Sequence, residues 1–154
     1  MDIETNCTVE SFNEDDVEGI KKLESGMLLI PRRTDEGDLY PEHTSDLLKI
    51  LRGAYPNLKT EMSDSDALTE SIHSADVIMP TIQFAVDVAI GVVSSIVSEI
   101  IVKFIESKIR EGEQESTNTK LEIIIDEENG YKRITYNGPA SELKELTRTI
   151  EKLK

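Results

Sequence analysis

Tryptophan is absent from this chain, cysteine occurs once, and basic residues are scarce: 17 Lys and Arg stand against 31 Asp and Glu, for a net charge of −14. Each shortage excludes something. With Cys7 alone, no intramolecular disulfide can form, and nothing argues for an oxidising compartment. A strong negative field repels phosphate backbones and anionic headgroups, which disfavours nucleic-acid binding; a basic protein partner fits better. Without tryptophan, no indole can anchor the ends of a membrane span. The first residues, MDIETNCTVESFNEDD, are acidic and lack the apolar stretch that a secretory signal or presequence needs. A cytoplasmic location is therefore the expectation. No glycine-rich phosphate loop, G-x-S-x-G elbow or H-E-x-x-H pair is found.

The apolar residues are concentrated in one block, VIMPTIQFAVDVAIGVVSSIVSEIIVKFI, from Val77 to Ile105. Pro80 suits the first turn of a helix, where its missing N–H is not needed. After it only Gly91 interrupts before Gly112, near the end of the run at about residue 113. The pattern predicts one long helix over 77–113. Ile82, Val86, Ala89, Val93, Ile96, Ile100 and Phe104 follow a near-heptad spacing and form a candidate oligomer seam. A second apolar stripe (Ala85, Val88, Val92, Val97, Ile101, Ile105) adjoins it, and a stripe of small or polar residues runs through Asp87, Gly91, Ser94 and Ser98. The helix thus reads as dry on one side and moderately wet on the other. Residues 78–98 hold a single charge and are long enough to span a bilayer. Asp87 at the centre would cost about 2.5–3.5 kcal/mol on insertion, so packing against a second copy is preferred to spanning.

The remainder divides around this block. Residues 1–19 carry seven acidic side chains and no basic one, as solvated tails do, although Ile3, Val9, Phe12 and Val17 could pin parts of them. Residues 20–76 read as a small α/β portion. MLLI (27–30) is a strand, and SDLLKILRGAY is a helix capped by Thr44 or Ser45. Residues 57–62 form a second strand, and a helix from about 67 to 75 follows the caps in SDSD. Residues 120–154 form a ββα unit. KLEIIID and YKRITYN alternate around the turn EENG, and Leu143, Leu146, Ile150 and Leu153 share one face of a closing helix. The fold class is α+β: short strands, one long apolar helix, and a C-terminal β-hairpin plus helix.

The hairpin KLEIIIDEENGYKRITYNG (120–138), the segment PASELKELTRTIEKL (139–153) and the apolar helix before them resemble the effector-associated constant component, first type, of bacterial conflict systems. The resemblance covers residues 78–154. It implies a non-enzymatic adaptor that works beside an antiviral effector, and it carries no catalytic residues.

The chemistry-bearing residues are few. His43 and His73 stand thirty positions apart, and only His73, with Glu70 and Asp76, could gather ligands on a helix face. Three or more converging ligands are needed, so no metal and no cofactor is expected. Cys7 lies in an acidic segment, which opposes a thiolate. Arg32 and Arg33 follow the MLLI strand, where guanidinium groups can bind a carboxylate or phosphate; balancing Asp35, Glu36 and Asp38 is the plainer role. Three functions follow. The first is a self-associating, non-enzymatic adaptor with a protein partner. The second is a membrane-active effector that inserts helix 78–105. The third is a small anionic-ligand-binding domain using Arg32 and Arg33.

Overall fold

The computed structural model describes residues 6–13, 20–34, 37–63, 68–69 and 76–153. Its framework is one mixed six-stranded sheet. The strands are β1 (Cys7–Asn13), β2 (Met27–Ile30), β5 (Thr60–Met62), β7 (Val77–Phe84), β8 (Asn118–Glu127) and β9 (Gly130–Pro139), in the order β1-β9-β8-β7-β2-β5. A second, three-stranded sheet joins β3 (Arg32–Thr34), β4 (Gly37–Tyr40) and β6 (Leu68–Thr69) in the order β3-β4-β6. The helices are α1 (Thr44–Ala54), then α2 (Ile90–Ile96), a π-helical turn (Val97–Ile101) and α3 (Val102–Ser107) as one continuous run, and finally α4 (Lys144–Glu151). The class is α+β, and the hairpin-plus-helix ending is present.

The long helix over 77–113 is not. Its first quarter is the central strand β7, paired with β2 on one side and β8 on the other. β7 is covered on both faces, so it lacks the alternation that marks a half-buried strand. Proline belongs in a strand only at an edge or a bulge. Pro80 sits where the register with β8 shifts, between Ile78 and Thr81. The helical run begins at Ile90 and ends at Ser107. Among the described residues no helix is long and apolar enough to cross a membrane.

The apolar side of the helical run packs on the chain's own sheet. Val93, Ile96, Val97, Ile101, Phe104 and Ile105 join Leu47, Leu51, Leu146 and Ile150 from α1 and α4 in one buried cluster. Leu29, Ile82, Phe84, Leu121, Ile123, Ile125, Ile134 and Tyr136 supply the sheet side of that cluster. The π-helical turn advances the stripe by one residue: Ile101 is fully buried, whereas Ile100 is only partly so. The ββα ending is no appendage. β8 and β9 sit between β1 and β7, so the two ends of the chain build one sheet.

Several smaller expectations also change. Part of the acidic N-terminal segment, Cys7–Asn13, is the edge strand β1, pinned by Phe12 stacked on Tyr131 at 4.8 Å. His43, not Thr44 or Ser45, is the N-cap of α1, and it makes no side-chain capping bond. The Thr44 hydroxyl donates back to the Pro41 carbonyl at 2.6 Å. The helix expected over 67–75 falls on residues that, apart from β6, lie outside those described, as do Glu70 and His73.

Candidate ligand-binding site

The helices cover one face of the sheet; side chains of the opposite parity point to the other. Pairing arranges these into rows across the strands. One row runs Ile30, Thr81, Glu122, Thr135; the next runs Leu28, Gln83, Ile124, Arg133, Glu10. A third brings Asp126 beside Tyr131 and Phe12. A cleft of about 960 Å³ lies over this face, with its floor formed by β2, β7, β8 and β9.

One wall is the segment 20–25, which is tied down across the sheet. The Leu23 amide donates to Asp126 Oδ2 at 2.9 Å. The Gln83 side-chain amide donates to the Lys21 carbonyl at 2.8 Å and to Asp126 Oδ1 at 2.9 Å. Asp126 is 4 % exposed. Burial pushes its carboxyl above the usual range, against the pull of the Leu23 amide, the Gln83 amide and the Lys22 ammonium. The wall meets β2 at Gly26, whose N–H donates to Asp87 Oδ1 at 3.1 Å and whose carbonyl accepts from Ala85 N–H at 2.8 Å. Asp87 is thus a loop residue holding this wall, not a charge inside a helix.

A second wall comes from β3 and β4 and carries Arg32, Arg33 and Asp38. Arg32 Nε–H donates to the Met79 carbonyl at 2.8 Å, within the register shift of β7. That carbonyl draws the guanidinium over the sheet. Burial lowers the pKa of Arg32 and the nearby Glu122 carboxylate raises it. Arg133 approaches the same carboxylate from β9: its Nε stands 3.7 Å from Glu122 Oε1, and its guanidinium lies 5.1 Å from the Phe12 ring centre. Two donors here, Arg32 Nη2 and Arg133 Nε, are buried and make no hydrogen bond. A buried N–H without an acceptor is costly, about 1–3 kcal/mol.

The lining is also the basic part of an acidic chain. Lys21, Lys22, Arg32, Arg33, Lys59 and Arg133 face the cleft, against Glu24, Asp38, Glu61 and Glu122. That local excess of positive charge stands out against −14 for the whole chain. Arginine forks suit carboxylates and phosphates, and here two of them flank one internal carboxylate that hydrogen-bonds neither buried donor.

The other sequence-derived candidates disperse. Of the oligomer seam, Ile82 is buried in β7, Val93, Ile96 and Phe104 are buried under the helical run, and Ile100 is half-buried. Val86 is exposed in the loop before α2, and Ala89 is the N-cap of α2. These seven residues therefore share no free face. Of the polar stripe, Ser94 is buried and donates to the Glu151 carboxylate, Ser98 bonds back to the Ser95 carbonyl, and a Cβ added to Gly91 would touch nothing within 4 Å. Arg33 is 91 % exposed and pairs with Asp38 at 3.7 Å, whereas Arg32 is drawn into the site. Cys7 is buried beside Thr149 and Glu145, and burial pushes its thiol up. Among the described residues no group of His, Cys, Asp and Glu is placed to hold a metal ion.

Glu122, Arg133, Gln83 and Asp126 were not singled out from sequence. For Glu122, Asp126 and Arg133 the signal was the hairpin alternation itself, which sets Arg133 and Thr135 on one face and Ile134 and Tyr136 on the other; Gln83, in the unbroken apolar run of β7, carried none. No family model, no curated protein and no solved structure matches this chain.

Proposed function

We propose that this chain is a non-enzymatic binding module that takes a small anionic ligand in the cleft on the sheet face opposite the helices. The observation that carries the reading is the pair of buried guanidinium donors, Arg32 Nη2 and Arg133 Nε, left without acceptors in a cationic cleft of an acidic chain. Once the guanidinium turns towards the cleft, a ligand oxygen supplies the missing acceptor, and neither Arg32 Nη2 nor Arg133 Nε gives up a hydrogen bond in doing so. The cleft volume falls in the range of small-molecule sites, about 300–1,000 Å³.

The adaptor reading drew on an apolar helix face that needed a partner. That face is covered by the chain's own sheet, and Val9, Ile50, Val86 and Val92 are the exposed large apolar side chains among the described residues. Scattered exposed side chains of this kind are ordinary on a monomer surface.

The test is thermal unfolding with a panel of carboxylates and phosphates at constant ionic strength. At least one anion should raise the melting temperature of the wild type. Arg32→Gln with Arg133→Gln should abolish the rise, and Arg110→Gln, outside the cleft, should keep it. A rise that survives the double substitution, or no rise with any anion, refutes the reading. Should the double variant not fold, each single substitution should still weaken binding at least tenfold.

A further inference from the structure

We infer that the occupant of this cleft is a small amphiphilic monocarboxylate, with its head between Arg32 and Arg133 and its aliphatic body over Leu28 and Ile30. This rests on the anion-binding reading above and adds the ligand class. Arg33 is paired with Asp38 and Lys59 with Glu61, and Lys22 reaches away to the Glu128 carbonyl, so at the head position Arg32 and Arg133 bring two positive charges and Glu122 one negative, a sum of +1. A monoanion brings that sum to zero. A phosphate dianion overshoots it beside Glu122, inside a chain of charge −14 where like charges repel. A carboxylate also matches the planar guanidinium fork.

Leu28 and Ile30 are half-buried on β2 and line the cleft, and Ile20 and Leu23 add apolar surface from the wall segment. β2 lies two strands from β8, roughly 10 Å at about 4.8 Å per strand. A head held near Glu122 on β8 therefore has room for an aliphatic chain running back over Thr81 towards Ile30. Acetate leaves that floor wet, whereas an eight-carbon chain covers part of it.

Arg32 directly follows Pro31 and Ile30, and its Nε is fixed to the Met79 carbonyl. The charged head and the apolar floor are therefore held together by one short stretch of chain.

Isothermal titration calorimetry with octanoate, acetate and inorganic phosphate tests this on the wild type and three variants. Octanoate should bind at least tenfold more tightly than either of the others. Ile30→Ser, or Leu28→Ser should the first not fold, should weaken octanoate severalfold. Glu122→Gln should shift the octanoate-to-phosphate preference towards phosphate by at least tenfold, a change that a purely structural role for Glu122 would not produce. Phosphate or acetate binding as tightly as octanoate overturns the ligand class and leaves the anion cleft standing. So does binding of a peptide through its C-terminal carboxylate when octanoate does not bind. No binding of any anion overturns the site itself, and an unchanged preference in Glu122→Gln overturns the charge argument.

Discussion

Replacing Gly26 with alanine should damage the fold and the cleft wall together. Gly26 holds a φ of 76°, a conformation that costs an L side chain about 1–2 kcal/mol. A Cβ added there would lie 2.0 Å from the Lys59 carbonyl oxygen, and ordinary contact begins near 3.4 Å. The opposing atom is backbone, so the strand must move by more than 1 Å. That carbonyl accepts the Met27 amide at 2.8 Å, and Met27 is 1 % exposed. Breaking the bond leaves a buried donor unmatched, at about 1–3 kcal/mol. The two contributions sum to about 2–5 kcal/mol, a large fraction of the 5–15 kcal/mol typical of a domain. Urea unfolding at neutral pH, followed by circular dichroism, measures the loss. The wild type and the variant should share a slope and differ in midpoint. A loss under about 1 kcal/mol would refute the reasoning, because it would mean that the turn relaxes at little cost and that Gly26 does not fix the wall against β5.

Other outcomes follow from the same geometry. Ile101→Ala should cost about 3–4 kcal/mol, read from the urea midpoint, because Ile101 is fully buried after the π-helical turn; Ile100→Ala should cost clearly less. Asp126 should make its contribution to stability fall as pH rises: its folded carboxyl holds its proton above the ordinary value of 3.8, so ionisation favours the unfolded chain across the interval from 3.8 upward. Urea midpoints of the wild type and Asp126→Asn, compared between pH 4 and 7, should therefore move in the variant's favour as pH rises, and movement the other way contradicts the assignment. Val86→Ser with Val92→Ser should change stability by no more than about 0.5 kcal/mol and leave the mass in light scattering unchanged, because neither side chain is buried.

Local pattern made some of this fold readable in sequence. The β8–β9 hairpin alternates cleanly because one face meets the helices and the other the cleft. α1 and α4 show apolar stripes because each lies on the core by one side only. β7 is the instructive miss. Its open-face residues Thr81 and Gln83 are themselves buried, at 7 % and 2 % exposure, Gln83 beneath the wall segment that it bonds. A strand covered on both faces loses its period of two, and an unbroken apolar run does not distinguish strand from helix. Pro80 then reads as a helix start, since the bulge that admits it depends on the register with β8, forty residues away in sequence. The candidate site shows the same division. Arg32 could be noticed from its position after a short apolar strand, but its separation from Arg33 depends on the Met79 carbonyl. Arg133 and Glu122 looked like ordinary hairpin charges. Only the pairing of β7 with β8 and β2 brings them to the cleft that Arg32 also lines.

In the proposed site, Arg32 and Arg133 lend their unmatched donors to an anion. Nitrogen–proton NMR of the arginine side chains tests it most directly, since the Arg133 Nε–H is buried and makes no hydrogen bond. Titration with octanoate should move that resonance downfield, saturably, and shift the backbone amides of Leu28, Ile30 and Glu122 at the same concentrations. An Arg133 Nε–H that stays fixed while only exposed residues such as Arg33 respond would contradict the account.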